Sequence, residues 1–159
     1  MKTLKEIKQN IKQFNCYWDA DDTETSNKFN QLSLEERIYW FINSKEHISF
    51  AEFHRFFGEE MEGDIFLELG GDNGKKMNCY AWMGMNKTFV DTIKAMIDKE
   101  YIFLNPSVFL VYLFDGKLLP LPLAKRVPKN GYKEPHWVPV VFTTFRQSTS
   151  FTLKEVKTC

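Results

Sequence analysis

The sequence predicts an α+β fold with a helical N-terminal part and a β-rich C-terminal part. The first half repeats a capping box, a Ser or Thr followed three residues later by Glu, before apolar residues spaced by three and four. This pattern is typical of amphipathic helices. The second half contains short apolar runs separated by Gly and Pro, which is typical of strands. A chain of 159 residues is most simply a single domain.

The capping boxes predict helices over residues 4–14, 34–43 and 50–57. Gly58 suits the position just after the third helix, because it has no Cβ to clash in a left-handed conformation. Between the first two helices, residues 19–30 are rich in Asp and Thr and poor in apolar side chains. We therefore expect an acidic loop there.

The middle of the chain predicts a hairpin followed by a helix. Residues 64–82 contain two short apolar runs around the Gly-rich stretch GGDNGK, which is typical of two strands and a turn. Beyond it, four apolar residues at helical spacing lie on one face of a helix that begins at Asn86 or Thr88 and extends to Glu100.

Residues 108–123 are predicted to form a second hairpin. The dipeptide Asp115-Gly116 is a strong two-residue turn signal, and it lies between the runs SVFLVYLF and KLLPLPL. Pro120 and Pro122 lack amide donors, so the strand that contains them should lie at a sheet edge or end early.

The C-terminal part is predicted as a β extension over residues 124–159. Two strands are expected within residues 137–145 and 150–156, after a loop rich in Lys and Pro over residues 127–135.

The order of three helices and a hairpin resembles a winged-helix domain over residues 33–123, with the hairpin 64–82 inserted and residues 1–32 forming the N-terminal helix and acidic loop. The resemblance implies a DNA-binding transcriptional regulator. Two features depart from it. About 30 residues separate the second and third helices, where the family has a short turn. The face expected to contact DNA also has mixed charge, whereas binding to phosphates favours positive charge. Its residues are Lys87, Asp91, Lys94, Asp98 and Lys99.

Charge is unevenly distributed although the chain is neutral overall. Residues 19–72 contain fourteen Asp or Glu and four Lys or Arg, and residues 81–159 contain six and eleven. Such asymmetry can orient a charged partner. We therefore expect an acidic region to dock on a basic partner surface. Its candidate partner-binding residues are Glu59, Glu60, Glu62, Asp64, Glu68, Asp72, Tyr80 and Trp82.

Two further features leave alternatives open. The basic cluster Lys125, Arg126, Lys129 and Lys133 could contact a phosphate backbone or form a solvated loop. The 25 aromatic residues could all lie in the core, or part of them could form a recognition surface.

The sequence contains little that indicates catalysis, and we expect a non-enzymatic protein with no metal and no cofactor. The one pairing for a nucleophile is Cys79 with His54 or His136. Asp64 and Glu68 could hold magnesium only with loose spacing. We therefore predict that none of Cys79, His54, Asp64 and Glu68 is essential for activity.

The cellular location is predicted from what the sequence lacks. The three cysteines have no paired spacing, which favours free thiols in a reducing compartment. No apolar stretch approaches the length of a membrane helix, and the N-terminus lacks the apolar run of a signal peptide. We therefore expect a cytoplasmic protein without membrane contact.

The length, the Lys-, Asn- and Phe-rich composition, and the stretches MKTLKEIKQNIKQF and LSLEERIYWFIN resemble small anti-CRISPR proteins carried by Staphylococcus mobile elements. The resemblance implies an inhibitor that binds a type II RNA-guided DNA nuclease, alone or with its guide RNA. Such an inhibitor either blocks the site that reads the short motif beside the target or holds a nuclease domain away from its substrate. No residue role follows from the resemblance.

Overall fold

The computed structural model describes residues 1–14, 22–70, 75–152 and 155–158, and these residues form six α-helices and two small sheets. The α+β class predicted from the sequence is confirmed. The helices are α1 (Leu4–Ile11), α2 (Thr23–Asn30), α3 (Leu34–Lys45), α4 (Phe50–Phe57), α5 (Lys87–Asp98) and α6 (Phe109–Asp115), with a 3-10 helix over Gly58–Glu60. The strands are β1 (Ile48–Ser49), β2 (Glu62–Leu69), β3 (Cys79–Met85), β4 (Phe103–Pro106), β5 (His136–Trp137), β6 (Val140–Thr143) and β7 (Val156–Thr158).

The capping boxes identify three helices correctly. Thr3, Ser33 and Ser49 are the N-cap residues of α1, α3 and α4, each with its Glu reaching back to the cap. Asn86 caps α5, with its side-chain oxygen 2.9 Å from the Phe89 amide nitrogen, so the first of the two predicted starts is the right one. Gly58 follows α4 with a positive φ of 54°, as predicted, but its ψ of −130° differs from that of a left-handed helical residue.

The prediction of a loop over residues 19–30 is wrong for its second part, which is helix α2. The Asp22 carboxylate accepts a hydrogen bond from the Thr25 amide and so satisfies one of the free N–H groups of the first turn. Phe29, the one buried residue of α2, anchors the helix against the Trp40 ring with the centroids 4.9 Å apart. The preceding acidic residues Asp19 and Asp21 lie outside the described residues.

The strands form two sheets, one of three strands and one of four. One has the order β1-β6-β4 and is antiparallel, and the other has the order β5-β3-β2-β7. In the second sheet β2 pairs antiparallel with β3, which confirms the hairpin predicted over residues 64–82. The parallel pairing of β3 with β5 and the antiparallel pairing of β2 with β7 join the C-terminal part to this hairpin.

The two C-terminal strand predictions are confirmed in part. Residues 137–145 contain β6 and the end of β5, separated by an irregular link. Residues 150–156 are mostly irregular where described, and β7 begins only at Val156.

The hairpin predicted over residues 108–123 is wrong. The first run forms helix α6, and Gly116 is its left-handed C-cap with a φ of 82°, where the amide donates to the Tyr112 carbonyl 2.9 Å away. The second run is irregular apart from a bridge between Leu123 and Trp137. The winged-helix resemblance thereby loses the hairpin that would be its wing, and only the order of its three helices remains.

An aromatic cluster joins the helices to both sheets. The Phe50 ring of α4 stacks on Trp82 of β3 at 5.8 Å and meets Phe142 of β6 edge-on at 5.0 Å. Trp82 in turn stacks on Tyr112 of α6 at 5.4 Å. All four rings are fully buried, and ten further aromatic side chains among the described residues are buried as well, so most of the aromatic residues are core.

Candidate protein-binding surface

The predicted acidic region is only partly a surface. Glu59 and Glu60 lie in the 3-10 helix, Glu62 and Asp64 lie at the start of β2, and all four are exposed. Asp72 lies outside the described residues.

Two of these exposed acids are engaged by basic side chains of the same chain. Arg37 of α3 donates two hydrogen bonds to the Glu60 carboxylate, at 2.7 and 2.5 Å, and these bonds lower the pKa of Glu60. The His54 Nε2 atom lies 3.5 Å from the Glu62 carboxylate. The negative charge of Glu60 is therefore balanced within the fold by Arg37.

The assignment of Glu68, Tyr80 and Trp82 to a partner surface is wrong, because all three are buried. The Glu68 carboxylate accepts hydrogen bonds from the amides of Met77 and Asn78, at 2.6 and 2.9 Å, and so joins the two ends of the hairpin. Tyr80 and Trp82 lie on β3, which is flanked by strands on both sides and is covered by the aromatic cluster. Their closeness to acidic residues in sequence gave no sign of this burial.

The residues considered for catalysis are not brought together as a site. Cys79 and His136 face each other as register partners of β3 and β5, but the thiol is buried against the Met77 carbonyl, 3.5 Å away. The imidazole instead stacks on Tyr132 with the ring centroids 3.8 Å apart. Burial, together with the charge of Glu68, raises the pKa of the Cys79 thiol to about 11, which disfavours a thiolate nucleophile.

Carboxylates and histidines likewise form no metal site in the part of the chain that the structure describes, where no group of three or more His, Cys, Asp or Glu is placed to hold an ion. Asp64 is exposed, whereas the Glu68 carboxylate is occupied by backbone amides. The geometry of these residues therefore does not support the hypothesis that Asp64 and Glu68 hold magnesium together.

Sequence reasoning missed an exposed apolar surface on and after α6. Seven of the ten exposed large apolar side chains among the described residues lie within residues 108–123. Phe114 is 87% exposed and Val108 is 62% exposed. We call this group the α6 surface: Val108, Phe109, Leu110, Leu113, Phe114, Leu118 and Leu123.

The opposite face of α6 is held firmly in the core. The Tyr112 hydroxyl donates to the Val140 carbonyl at 2.6 Å and accepts from the Phe50 amide at 3.2 Å. The ring packs between Trp82 and Trp137, and burial raises the pKa of the Tyr112 hydroxyl far above its usual range. The exposed side chains of α6 are therefore presented on a fixed support.

The C-terminal end of α6 is fixed by two further contacts. The Ser49 hydroxyl donates to the Asp115 carboxylate, and the Arg55 guanidinium donates to the Asp115 carbonyl. A cation at this position also interacts favourably with the negative end of the helix dipole.

Basic side chains lie next to the α6 surface either by contact or in sequence. Arg55 reaches the end of α6, and Lys117 directly follows its cap residue. Lys125 and Arg126 follow Ala124, whose amide donates to the carbonyl of Trp137, the ring beneath Tyr112. We call Arg55, Lys117, Lys125 and Arg126 the basic rim, and all four are exposed.

The comparisons give no relative from which a function could be transferred. The chain matches no protein-family model, no curated protein and no solved structure. None of the helices in the described residues has the length and apolar character needed to cross a membrane.

Proposed function

We propose that this protein acts by binding another protein, and that the α6 surface is the centre of the contact. The observation that supports this is the concentration of exposed Phe and Leu side chains on a helix whose other face is locked into the core. Contiguous exposed apolar side chains are uncommon in isolated domains and mark interaction sites. A fixed support reduces the ordering that binding requires.

The resemblance to staphylococcal anti-CRISPR proteins makes a guide-loaded type II nuclease the first partner to test. In this proposal the protein is a non-enzymatic inhibitor that acts in the cytoplasm of the host. It needs no cofactor, because tight binding alone can block a nuclease.

The test is co-elution of the purified chain with a guide-loaded staphylococcal type II nuclease at physiological salt. We expect the wild-type chain to co-elute and Phe114→Ser to weaken binding about 10- to 100-fold, because an exposed aromatic anchor is lost. Phe145→Ser is the matched control, since Phe145 is also exposed but lies outside residues 108–123. Its binding should equal that of the wild type.

Failure of the wild-type chain to co-elute would remove the nuclease as partner. Equal loss of binding in both variants would show that the α6 surface has no special role.

The alternative, a DNA-binding regulator, is favoured by the exposed basic residues Lys125, Arg126, Lys129 and Lys133. The mixed charge of α5, where Lys87 pairs with Asp91, counts against it. The co-elution experiment is therefore repeated with duplex DNA in place of the nuclease. Binding that falls steeply with salt would favour the regulator.

A further inference from the structure

We infer that the partner surface that receives α6 is an apolar groove bordered by acidic side chains. This rests on the proposed function and reverses the electrostatics expected from the sequence, in which an acidic region meets a basic partner. The segment of residues 106–133 is basic in composition, because Asp115 is its only acidic residue, against five Lys or Arg.

The charges of the basic rim are not neutralised by the fold. Within the described parts of the chain, Lys117, Lys125 and Arg126 form no ion pair. Asp115, the acid nearest to Lys117 in sequence, accepts from the Ser49 hydroxyl instead. Glu134, the acid nearest to Lys125 and Arg126 in sequence, forms no ion pair within the described residues either. Basic residues elsewhere do find acids, as Arg37 does with Glu60. Positive charge is therefore available to a partner at the edge of the α6 surface.

The same charges argue against a second copy of this chain as the occupant. A two-fold dimer would place one α6 surface on another, and the two basic rims would then lie close together. Like charges at an interface oppose association. For the same reason the positively charged channel that holds nucleic acid in an RNA-guided nuclease is a poor match for this surface.

A membrane is also a poorer match than a protein groove. Interfacial helices typically present a long apolar face to lipid and a charged face to water. Helix α6 has seven residues, and its inner face is used by Tyr112 in the core. What remains outside is a set of exposed Phe, Leu and Val side chains, and such apolar anchors suit a protein groove.

The experiment uses two fluorescent helical peptides of equal length as probes, one with a Leu face bordered by Glu and one with the same face bordered by Lys. We expect the wild-type chain to bind the Leu/Glu peptide at least about tenfold more tightly at about 50 mM salt, measured by anisotropy. The preference should shrink at about 300 mM salt, where charges are screened.

Charge reversal then locates the effect. Lys117→Glu and Arg126→Glu should each weaken the Leu/Glu peptide about 3- to 10-fold, because a rim charge is reversed. Lys5→Glu, an exposed position on α1, makes the same change in net charge and should have no effect. Phe114→Ser should weaken both peptides equally.

Three results would overturn the inference: equal affinity for both peptides or none for either, binding to phosphatidylserine-containing vesicles lost in Phe114→Ser, or dimerisation lost in that variant. The nuclease test is separable. If the chain prefers the Leu/Glu peptide but does not co-elute with the nuclease, the nuclease is excluded as the partner and the inference of an acidic-bordered groove stands. If Lys117→Glu and Arg126→Glu co-elute with the nuclease as well as the wild type does, the proposed function stands and the inference of an acidic-bordered groove is overturned.

Discussion

The acidic region around the β2–β3 hairpin and the segment of residues 106–133 carry opposite charge, and the fold engages part of the acidic charge but leaves the basic side chains exposed. In the hairpin region Glu60 is held by Arg37, and Glu68 is buried on backbone amides. In the second segment the Lys and Arg side chains are exposed, as are seven large apolar side chains of the same segment. The comparison shows that charge counted along a sequence does not identify charge available to a partner.

The physical reason lies in what each side chain can satisfy. A carboxylate accepts several hydrogen bonds at once, so it can serve free amides at a hairpin end, as Glu68 does for Met77 and Asn78. A Lys ammonium carries donors only, so it cannot accept hydrogen bonds from free amides in this way. A Glu side chain is therefore more easily buried at a hairpin end than the Lys and Arg side chains of the segment 106–133.

The largest effect that would test this comparison is the loss of the buried carboxylate. Glu68→Ala leaves the amides of Met77 and Asn78 without an acceptor, and we expect it to lower the free energy of unfolding by about 4 kcal/mol. Urea denaturation measures this change. Glu59→Ala, at an exposed acid of the same region, should change it by less than about 0.5 kcal/mol. Equal effects of the two substitutions would mean that the Glu68 carboxylate contributes no more to stability than the exposed Glu59 carboxylate.

A second internal acid gives a pH test. Burial disfavours ionised Glu36, but hydrogen bonds from Lys2, Asn10 and Ser33 outweigh it and lower the pKa of Glu36 to about 2. Because the folded pKa lies below the unfolded value of 4.5, this stabilisation is full above about pH 4.5 and is lost as the pH falls towards 2. The loss is on the order of 3 kcal/mol.

Denaturation midpoints at about pH 5 and about pH 3 measure this dependence. Glu36→Gln should be less stable than the wild type at the higher pH and should show a smaller fall between the two. An unchanged pH dependence in Glu36→Gln would assign the effect to other acids.

The two faces of α6 provide the next test. Tyr112→Phe removes the partner of the Val140 carbonyl and the Phe50 amide, and we expect a loss of about 2 kcal/mol in unfolding free energy. Phe114→Ser, on the outer face, should change stability by less than about 0.5 kcal/mol. Thermal or urea unfolding compares the two. If Phe114→Ser were the more destabilising, the α6 surface would be part of the core.

The smallest effect concerns the exposed ion pair. Arg37→Ala releases Glu60 and should lower stability by about 1 kcal/mol or less, because the pair is partly solvated and the Arg37 group also lies over the Phe57 ring. Arg37→Lys is the control, since it keeps the charge without the two-pronged geometry. If Arg37→Ala bound a basic protein surface that the wild type does not bind, the acidic region would again be a candidate docking site.

Local signals explain which parts of the fold could be predicted. Capping boxes and helical spacing lie within a few residues, so Thr3, Ser33 and Ser49 mark their helices without reference to the rest of the chain. Asp115-Gly116 is ambiguous, because glycine at positive φ serves both a tight hairpin and a helix end. The bond from the Tyr112 hydroxyl to Val140 favours the helix and is not visible in the local sequence.

The candidate site was harder to predict for the same reason. A short apolar run gives no information on whether it is buried, and the exposure of Phe114 depends on how α6 is placed against β6 and α4. The burial of Trp82 likewise depends on Phe50 and Tyr112, which are distant in sequence.

The position of β7 at the edge of the second sheet also affects how the chain is made. Strand β7 pairs with β2, and the Gly70 amide donates to the Glu155 carbonyl at 2.7 Å, so partners meet across more than half of the chain. During synthesis β2 leaves the ribosome long before β7 exists, and its edge stays open to other chains throughout that interval. Slower translation of the second half should therefore increase aggregation of nascent chains, whereas refolding of the finished protein is spared this delay.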